Sequence, residues 1–517
     1  MSKAQDEGQS GQGLLQQLTQ LWPSLPYLSF GLFTAWTMLA YSGDLWLSDV
    51  EANGSSLVRL YFITTLVSAL FFIVSAFFSR RLMPGILEGR AAVIGGLICV
   101  VGAVLVLAAG PYYLGSFLDD TGPVFNTGAV ILGVGNFLVS LRCAGIYCSL
   151  PPRRVLINFA LSQFVVVFVY LVVISSPQWA LVEGGPTYVG MAAFTFLPLL
   201  AALLSLLPRT TQADTDGRPW GKHLRKRDLP GAFWRLVALA LLLSFAASIP
   251  RGETVGASAL AATVEGNTLL ALSYILTAGI VILVALRIDS GHLNVGRFFS
   301  LLSIVMVVAI AIMAVFGAQG SNWSLLIYLT YGLFEICLWC LLCFITYQRH
   351  ISPVVVFGFG FGALLLGSAL GWGVGLFAMP SLSSDAESAF YFGLAIVVLV
   401  LSFFLFSESE FEKLFTPIEE DQPSLEEMLS VQLGPHAKGK AGRFGTVIDR
   451  LAAESGLTAR EAEVLRLLAM GNGVDAIAEK LSVSRNTARS HTHNIYVKMD
   501  VHSRQELIDK VDEAFKD

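Results

Sequence analysis

The stretch from Leu457 to Val501, LTAREAEVLRLLAMGNGVDAIAEKLSVSRNTARSHTHNIYVKMDV, is written in short helices with a stop or start signal between them. Thr458 followed by Glu461 is a capping box, since each side chain can satisfy a backbone N–H that the first helical turn leaves without a partner. Val464, Leu465 and Leu468 give that helix one apolar stripe. Gly471 and Gly473 break it, and Ile477, Ala478 and Leu481 carry the apolar face onto a second helix. Ser484 caps a third helix that runs to about Met499, and Ser503 with Glu506 opens a last one. The third helix holds the bases Arg485, Arg489 and Lys498 with no acid among them. The expectation is a small four-helix domain over 454–517.

In order and spacing, residues 457–507, 51 of the 517 in the chain, closely resemble the LuxR-type (FixJ/NarL-like) helix-turn-helix. That resemblance implies a recognition helix in the major groove of operator DNA, with flanking donors on phosphate. It places Arg489, Ser490 and His493 toward the groove, where an arginine can donate two hydrogen bonds to guanine O6 and N7. Arg485, Thr487, Lys498 and Arg504 are better placed for phosphate, and Asn486 joins the DNA-binding set. It also puts a homodimer contact on the last helix, 503–515. Two positions depart from the family: Ala488 stands where valine is usual and Asp500 where glycine is usual. Residues 454–517 hold nine Lys or Arg and eleven Asp or Glu, a net charge of −2, so the domain lacks the broad basic footprint of a strong non-specific binder. Modest monomer affinity follows, with two copies needed on a two-half-site operator. His491 and His493, two apart, point to different helix faces and do not make a metal pair.

The rest of the chain is of another class. With 55% hydrophobic and 14% charged residues, against roughly 45–50% and 25% for soluble domains, it reads as an integral membrane protein. Apolar stretches able to cross roughly 30 Å of hydrocarbon lie near 25–46, 57–79, 91–109, 124–149, 154–174, 187–207, 231–249, 264–286, 297–317, 322–347, 353–377 and 389–406. The expected fold is therefore all-α: a polytopic bundle of twelve transmembrane helices over 23–407, in partnership with the lipid bilayer. A polar cytoplasmic segment, 1–22, precedes it, in which Leu14, Leu15, Leu18 and Leu21 make a short amphipathic helix rather than a cleavable signal.

Loop charge sets the orientation. Arg80, Arg81, Arg90, Arg153, Arg154, the run of bases from Arg209 to Arg227, Arg287, Arg297 and Arg349 fall in one set of loops. The alternate set carries Asp49, Glu51, Asp119, Asp120, Glu183, Glu253, Glu265, Asp385 and Glu387, with Arg251 its one base. Basic loops stay cytoplasmic, so both termini face the cytoplasm of a bacterial cell, with the bundle in the inner membrane. The basic loop 208–230 splits the spans six and six, a layout that resembles the major facilitator architecture, in which two halves enclose a site near the bilayer midplane. Together the two parts look like bacterial membrane-bound LuxR-type regulators with a transporter-like sensor.

Polar side chains inside spans mark where a small-molecule ligand would be read, since a charge at the bilayer centre costs roughly 2.5–3.5 kcal/mol on insertion scales. Glu335 stands mid-span near Tyr331, Phe334 and Trp339, with Asn136 and Gln163 at similar depth and Arg142 as one candidate partner. Glu335 is either a buried ion pair or neutral acid, or a ligand or proton site. Cys337, Cys340 and Cys343 form a packing ridge on a hydrophobic helix, with no fourth metal ligand in view. Gly358, Gly360, Gly362, Gly367, Gly371 and Gly375 imitate a dinucleotide fingerprint without a strand before them, and in a span serve close helix contact. No catalytic arrangement, metal site or cofactor is expected, so the chain is not read as an enzyme. Residues 408–453 form a linker, acidic and then glycine-containing, whose Phe444, Val447, Ile448 and Leu451 recur at helical spacing and are expected to pack on the DNA-binding domain. Two functions fit: a one-component sensor that binds a small molecule in the bundle and DNA in the cytoplasm, or an active secondary transporter with an appended DNA-binding reporter.

Overall fold

A computed structural model describes residues 19–40, 50–82, 85–109, 121–174, 187–207, 229–257, 264–287, 304–312, 315, 321–349, 351–405, 447–469, 477–478, 481, 485–501, 506–507, 510–511 and 514. Every element among them is helical. The chain divides into two compact units, Met1–Pro417 and Ile418–Asp517.

In the first unit a 3-10 turn, Leu25–Leu28, leads into α1 (Ser29–Ala40). It continues through α2 (Val50–Phe77), α3 (Gly89–Ala108), α4 (Gly122–Tyr147), α5 (Pro152–Ile174), α6 (Tyr188–Leu204), α7 (Gly231–Ala257), α8 (Val264–Arg287), α9 (Ser321–Arg349), α10 (Pro353–Phe377) and α11 (Ser384–Leu405). Residues 304–312 are also helical, inside the ninth expected span, most of which lies outside the described residues. Helix therefore stands in each of the twelve apolar stretches. Among the described residues, 8 helices are long and apolar enough to cross a membrane, and Leu25–Ala40, Tyr188–Leu204 and Leu272–Leu283 are shorter apolar helices. Local signals set the starts: Thr187 Oγ1 accepts from Gly190 N at 2.9 Å before α6, and Ser352 Oγ accepts from Val354 N at 3.2 Å before α10, with Pro353 in the first turn.

Large apolar side chains stay exposed in stripes at helical spacing: Leu97, Val101 and Val104 on α3, Phe164, Phe168 and Leu171 on α5, and Phe392, Ile396 and Leu399 on α11. In water such stripes would be an aggregation liability, whereas against lipid they are the matching solvent. The opposite faces pack into one apolar core. Most buried of all is α10, whose glycines let neighbouring backbones approach. A Cβ on Gly358 would lie 2.7 Å from the Phe72 carbonyl oxygen of α2, and one on Gly367 or Gly371 would run into the Leu241 or Phe245 carbonyl of α7. The close-contact reading of this glycine series holds for those positions. Helix α7 runs on through Pro250 to Ala257. Arg251, which the sequence reading left in an outer loop, is therefore a helical residue, because a proline inside a membrane helix is tolerated when neighbours satisfy the freed carbonyl.

In the second unit, helix occupies 447–454, α12 (Ala459–Ala469) and α13 (Arg485–Lys498), with helical residues at 477–478, 506–507, 510–511 and 514. One core joins Ile448 and Leu451 to Val464, Leu465, Leu468, Ile477, Ala488, Ile495, Met499, Leu507 and Val511. Helix 447–454, which the sequence reading placed in the linker, thus belongs to this core. Phe444 lies outside the described residues.

Candidate nucleic-acid interface and polar centre of the membrane unit

Helix 447–454 ends on Gly456 at φ +62°. The Leu457 N–H donates to Ala452 O at 2.9 Å and Gly456 N–H to Ala453 O at 3.2 Å, the paired bonds of a left-handed helix stop. Two residues on, the capping box forms as its sequence demands: Thr458 N donates to Glu461 Oε2 at 2.8 Å, and Glu461 N donates to Thr458 Oγ1 at 3.3 Å. The same carboxylate oxygen accepts from Lys498 Nζ at 2.7 Å. Glu461 is buried, and hydrogen bonds from Lys498 and then Thr458 hold its carboxyl far below the usual range, at about 2. One carboxylate therefore caps α12 and anchors the last turn of α13.

Lys498 was expected on phosphate; the structure instead engages its ammonium inside the domain, on Glu461 and, at 3.4 Å, on the Gly456 carbonyl. Past Lys498, α13 stops on Asp500 at φ +51°. Val501 N–H bonds Tyr496 O at 3.0 Å and Asp500 N–H bonds Val497 O at 3.4 Å, while Lys510 Nζ donates to Met499 O at 2.6 Å. The turn keeps the geometry a glycine would give. Ala488 is fully buried against this core, so the family's usual valine is replaced by a smaller side chain that still seals it.

The remaining face of α13 is open. Asn486, Arg489, Ser490, His493 and Val497 recur at three- and four-residue steps and are exposed, whereas Ala488, Thr492 and Ile495 face the core. Thr487 is exposed on the flank near the helix start, and Arg485 is the first residue of α13. Ser484, Ser503 and Arg504 lie outside the described residues, as do Gly471 and Gly473.

The membrane unit has its own polar centre. Glu335 of α9 is half-buried, and the charged group acting on it is Arg251 of α7. The Arg251 guanidinium lies 4.3 Å from the centre of the Tyr331 ring, one turn before Glu335. Tyr331 OH donates to Ser368 Oγ at 3.3 Å, and Ser368 Oγ also bonds Tyr61 OH at 2.8 Å and Ser248 Oγ at 2.9 Å. Trp372, one turn beyond Ser368, stacks on Tyr61 at 4.1 Å. Gln163 of α5 is fully buried, and neither of its amide atoms has a partner. Asn136 donates to Ser68 Oγ at 2.9 Å, and Trp339 sits in an aromatic cluster with Phe30 at 4.4 Å and Phe357 at 4.8 Å. Arg142 is not beside Glu335: it donates to Leu87 O at 2.6 Å and Ser205 O at 3.1 Å, binding the end of α6 to the start of α3.

Residues 455–511 match the bacterial regulatory proteins of the luxR family. The C-terminal unit carries a LuxR-type helix-turn-helix domain. Over 62 residues the chain is 44% identical to an Escherichia coli (strain K12) protein described as the uncharacterized response regulatory protein YgeK, which is 12% of this chain and 42% of that protein. The chain thus spans less than half the length of this relative. The membrane unit is similar in fold to a bacterial homologue of the iron transporter ferroportin in its outward-facing state, with a TM-score of 0.50 at 12% identity over 75% of this chain and 99% of that one. A second similar structure is the major facilitator superfamily proton:xylose symporter XylE, with a TM-score of 0.47 at 15% identity over 78% and 99% of the two chains. The first likeness is one of fold, and it makes the membrane unit a transporter-like helical bundle.

In the membrane unit, the sequence reading missed Arg251, Ser248, Ser368 and Trp372. A signal for them existed. Ser244, Ser248 and Arg251 recur at four and three residues on α7, and Ser368 and Trp372 at four on α10, which is a polar stripe on one face of an otherwise apolar span.

Proposed function

We propose that the chain is a membrane-anchored one-component transcriptional regulator, with its bundle in the inner membrane of a bacterium and both termini in the cytoplasm. A small molecule held in the bundle shifts the LuxR-type domain between a silent and a DNA-competent, dimeric arrangement on a two-half-site operator. The observation that carries this reading is the open face of α13, in a chain whose helices α1 to α11 form a transporter-like bundle. In this reading Arg489, Ser490 and His493 read base edges, while Arg485, Asn486, Thr487 and Arg504 hold phosphate. Lys498 positions the helix rather than the DNA. Glu335, Tyr331 and Gln163 line the ligand site, and Asn136, Trp339 and Arg142 act as its structural surround. The description of the Escherichia coli relative as a response regulatory protein supports the regulatory half. No catalysis is assigned.

Sequencing DNA cross-linked to the full chain in cells tests the proposal. The recovered fragments should share an inverted repeat with half-sites one helical turn, or a multiple of it, apart. Recovery of the same fragments by Arg489→Ala as by the parent chain would remove α13 from DNA reading. In the same cells, Glu335→Gln should leave the chain inserted while making target transcription insensitive to the inducing compound.

A further inference from the structure

Val497 is 67% exposed, and among the described residues of the C-terminal unit it is the one large apolar side chain left in the open. A lone exposed valine ordinarily asks for no explanation. This one stands on the open face of α13, four residues past His493 and eight past Arg489, where every other exposed side chain of the face is polar. The same helix turns Ala488 and Ile495 inward. Three bonds hold the turn that carries it: Lys498 Nζ donates to Glu461 Oε2 at 2.7 Å, the Val501 N–H to Tyr496 O at 3.0 Å, and Lys510 Nζ to Met499 O at 2.6 Å. A valine in a helix keeps one strongly preferred rotamer, so the isopropyl group is presented in a fixed direction. Lys498, the neighbouring base, commits its ammonium to the domain itself, which leaves this end of the face apolar.

Base edges in the major groove offer hydrogen-bond donors and acceptors, and one apolar group, the C5-methyl of thymine. A phosphate beside Val497 would find no donor on that side chain, and a polar base atom pressed against it would be desolvated without a partner. Recognition helices of the homeodomain kind read bases over about two turns. Arg489 and Val497 are about 12 Å apart along α13, which matches about three to four base pairs of duplex. We propose that Val497 is a specificity-determining residue: its methyl groups pack on the C5-methyl of a thymine about three to four base pairs from the guanine that Arg489 reads. This inference deepens the DNA-reading role proposed above for α13 and rests on it.

The test is repeated selection of randomised duplex DNA by the purified full chain, run on a pool made with thymine and in parallel on a pool made with uracil, which pairs alike but lacks the methyl group. From the thymine pool the parent chain should enrich a thymine at one position of each half-site, about three to four base pairs from an enriched guanine. From the uracil pool it should enrich the guanine and lose the preference at the other position. Replacing that one thymine by uracil in the selected site should weaken binding about fourfold, the factor that goes with burying one methyl group. Val497→Ala should erase the thymine preference and keep the guanine, whereas Arg489→Ala should lose the guanine and keep the thymine. Val497→Thr, which keeps the shape and one methyl group, should fall between Val497→Ala and the parent. A preference for the same pair in the uracil pool, or one that Val497→Ala leaves unchanged, would overturn the proposal. Weakening of all sequences alike by Val497→Ala would put the side chain on the sugar-phosphate backbone and overturn it too. If the parent chain enriches no sequence from either pool, the DNA-reading role of α13 falls and the inference falls with it. Enrichment of the guanine without any thymine would leave that role standing and sink the inference alone.

Discussion

Asp500 carries a backbone conformation, φ +51°, that β-carbons resist. A left-handed residue at a helix stop is ordinarily glycine, and a side chain there costs roughly 1–2 kcal/mol, less for the small polar residues that tolerate it. Asp500→Gly should therefore stabilise the C-terminal unit by about 1 kcal/mol, read as slower amide exchange of α12 and α13 in the full chain. Glu461 is the opposite case, a residue whose Oε2 accepts from the Thr458 N–H, the Thr458 hydroxyl and the Lys498 ammonium. Its carboxyl is lowered to about 2 from an ordinary 4.5. The stability it contributes is thus complete above about pH 4.5 and is lost as the pH falls toward 2. Glu461→Gln should destabilise the unit by about 1.5–3 kcal/mol at neutral pH. It should also flatten the acid limb of the unfolding curve between those two values, and an unchanged acid limb would show that another carboxylate sets it.

At the level of the helix, α13 divides its residues between holding and reading. Arg489→Ala should leave unfolding unchanged and narrow the gap between cognate and random DNA by roughly 1–3 kcal/mol. Lys498→Ala should do the reverse, loosening the junction of α12 and α13 while leaving the salt slope of binding where it was. A salt slope lowered by about 0.9 would instead return Lys498 to phosphate. This division also shows what could be read from the chain alone. The capping box, the apolar stripes and the exposed face of α13 follow local spacing, and local spacing is visible in a sequence. The clasp between Lys498 and Glu461 joins residues 37 positions apart, and nothing at either position announces the other. Arg251 escaped for a different reason: the apolar stretch ends at 249, whereas α7 runs on through Pro250, a proline of the kind a membrane helix tolerates. Gln163 was legible as a polar residue in a span, but its lack of any partner is a property of packing.

For the whole molecule, the apolar stripes on α3, α5 and α11 mark a lipid-facing surface, and the loop charges are the basis of the proposed direction. A reporter fused after Asp517 should be active only as a cytoplasmic fusion, and one inserted near Asp119 only on the other side of the membrane. A C-terminal tag reachable from outside intact cells would reverse the arrangement and strip the LuxR-type domain of access to DNA. The glycines of α10 bear on how such a bundle could move. Gly358 and Gly362 lie against α2, and Gly367 and Gly371 lie against α7. Interdigitated side chains make neighbouring helices ratchet by whole turns, but a bare backbone has no teeth to climb. Helix α10 is thus a spindle, smooth at these four glycines and keyed to its neighbours at Ser368 and Trp372, so a small displacement of α7 would be handed to α2 at those two keys.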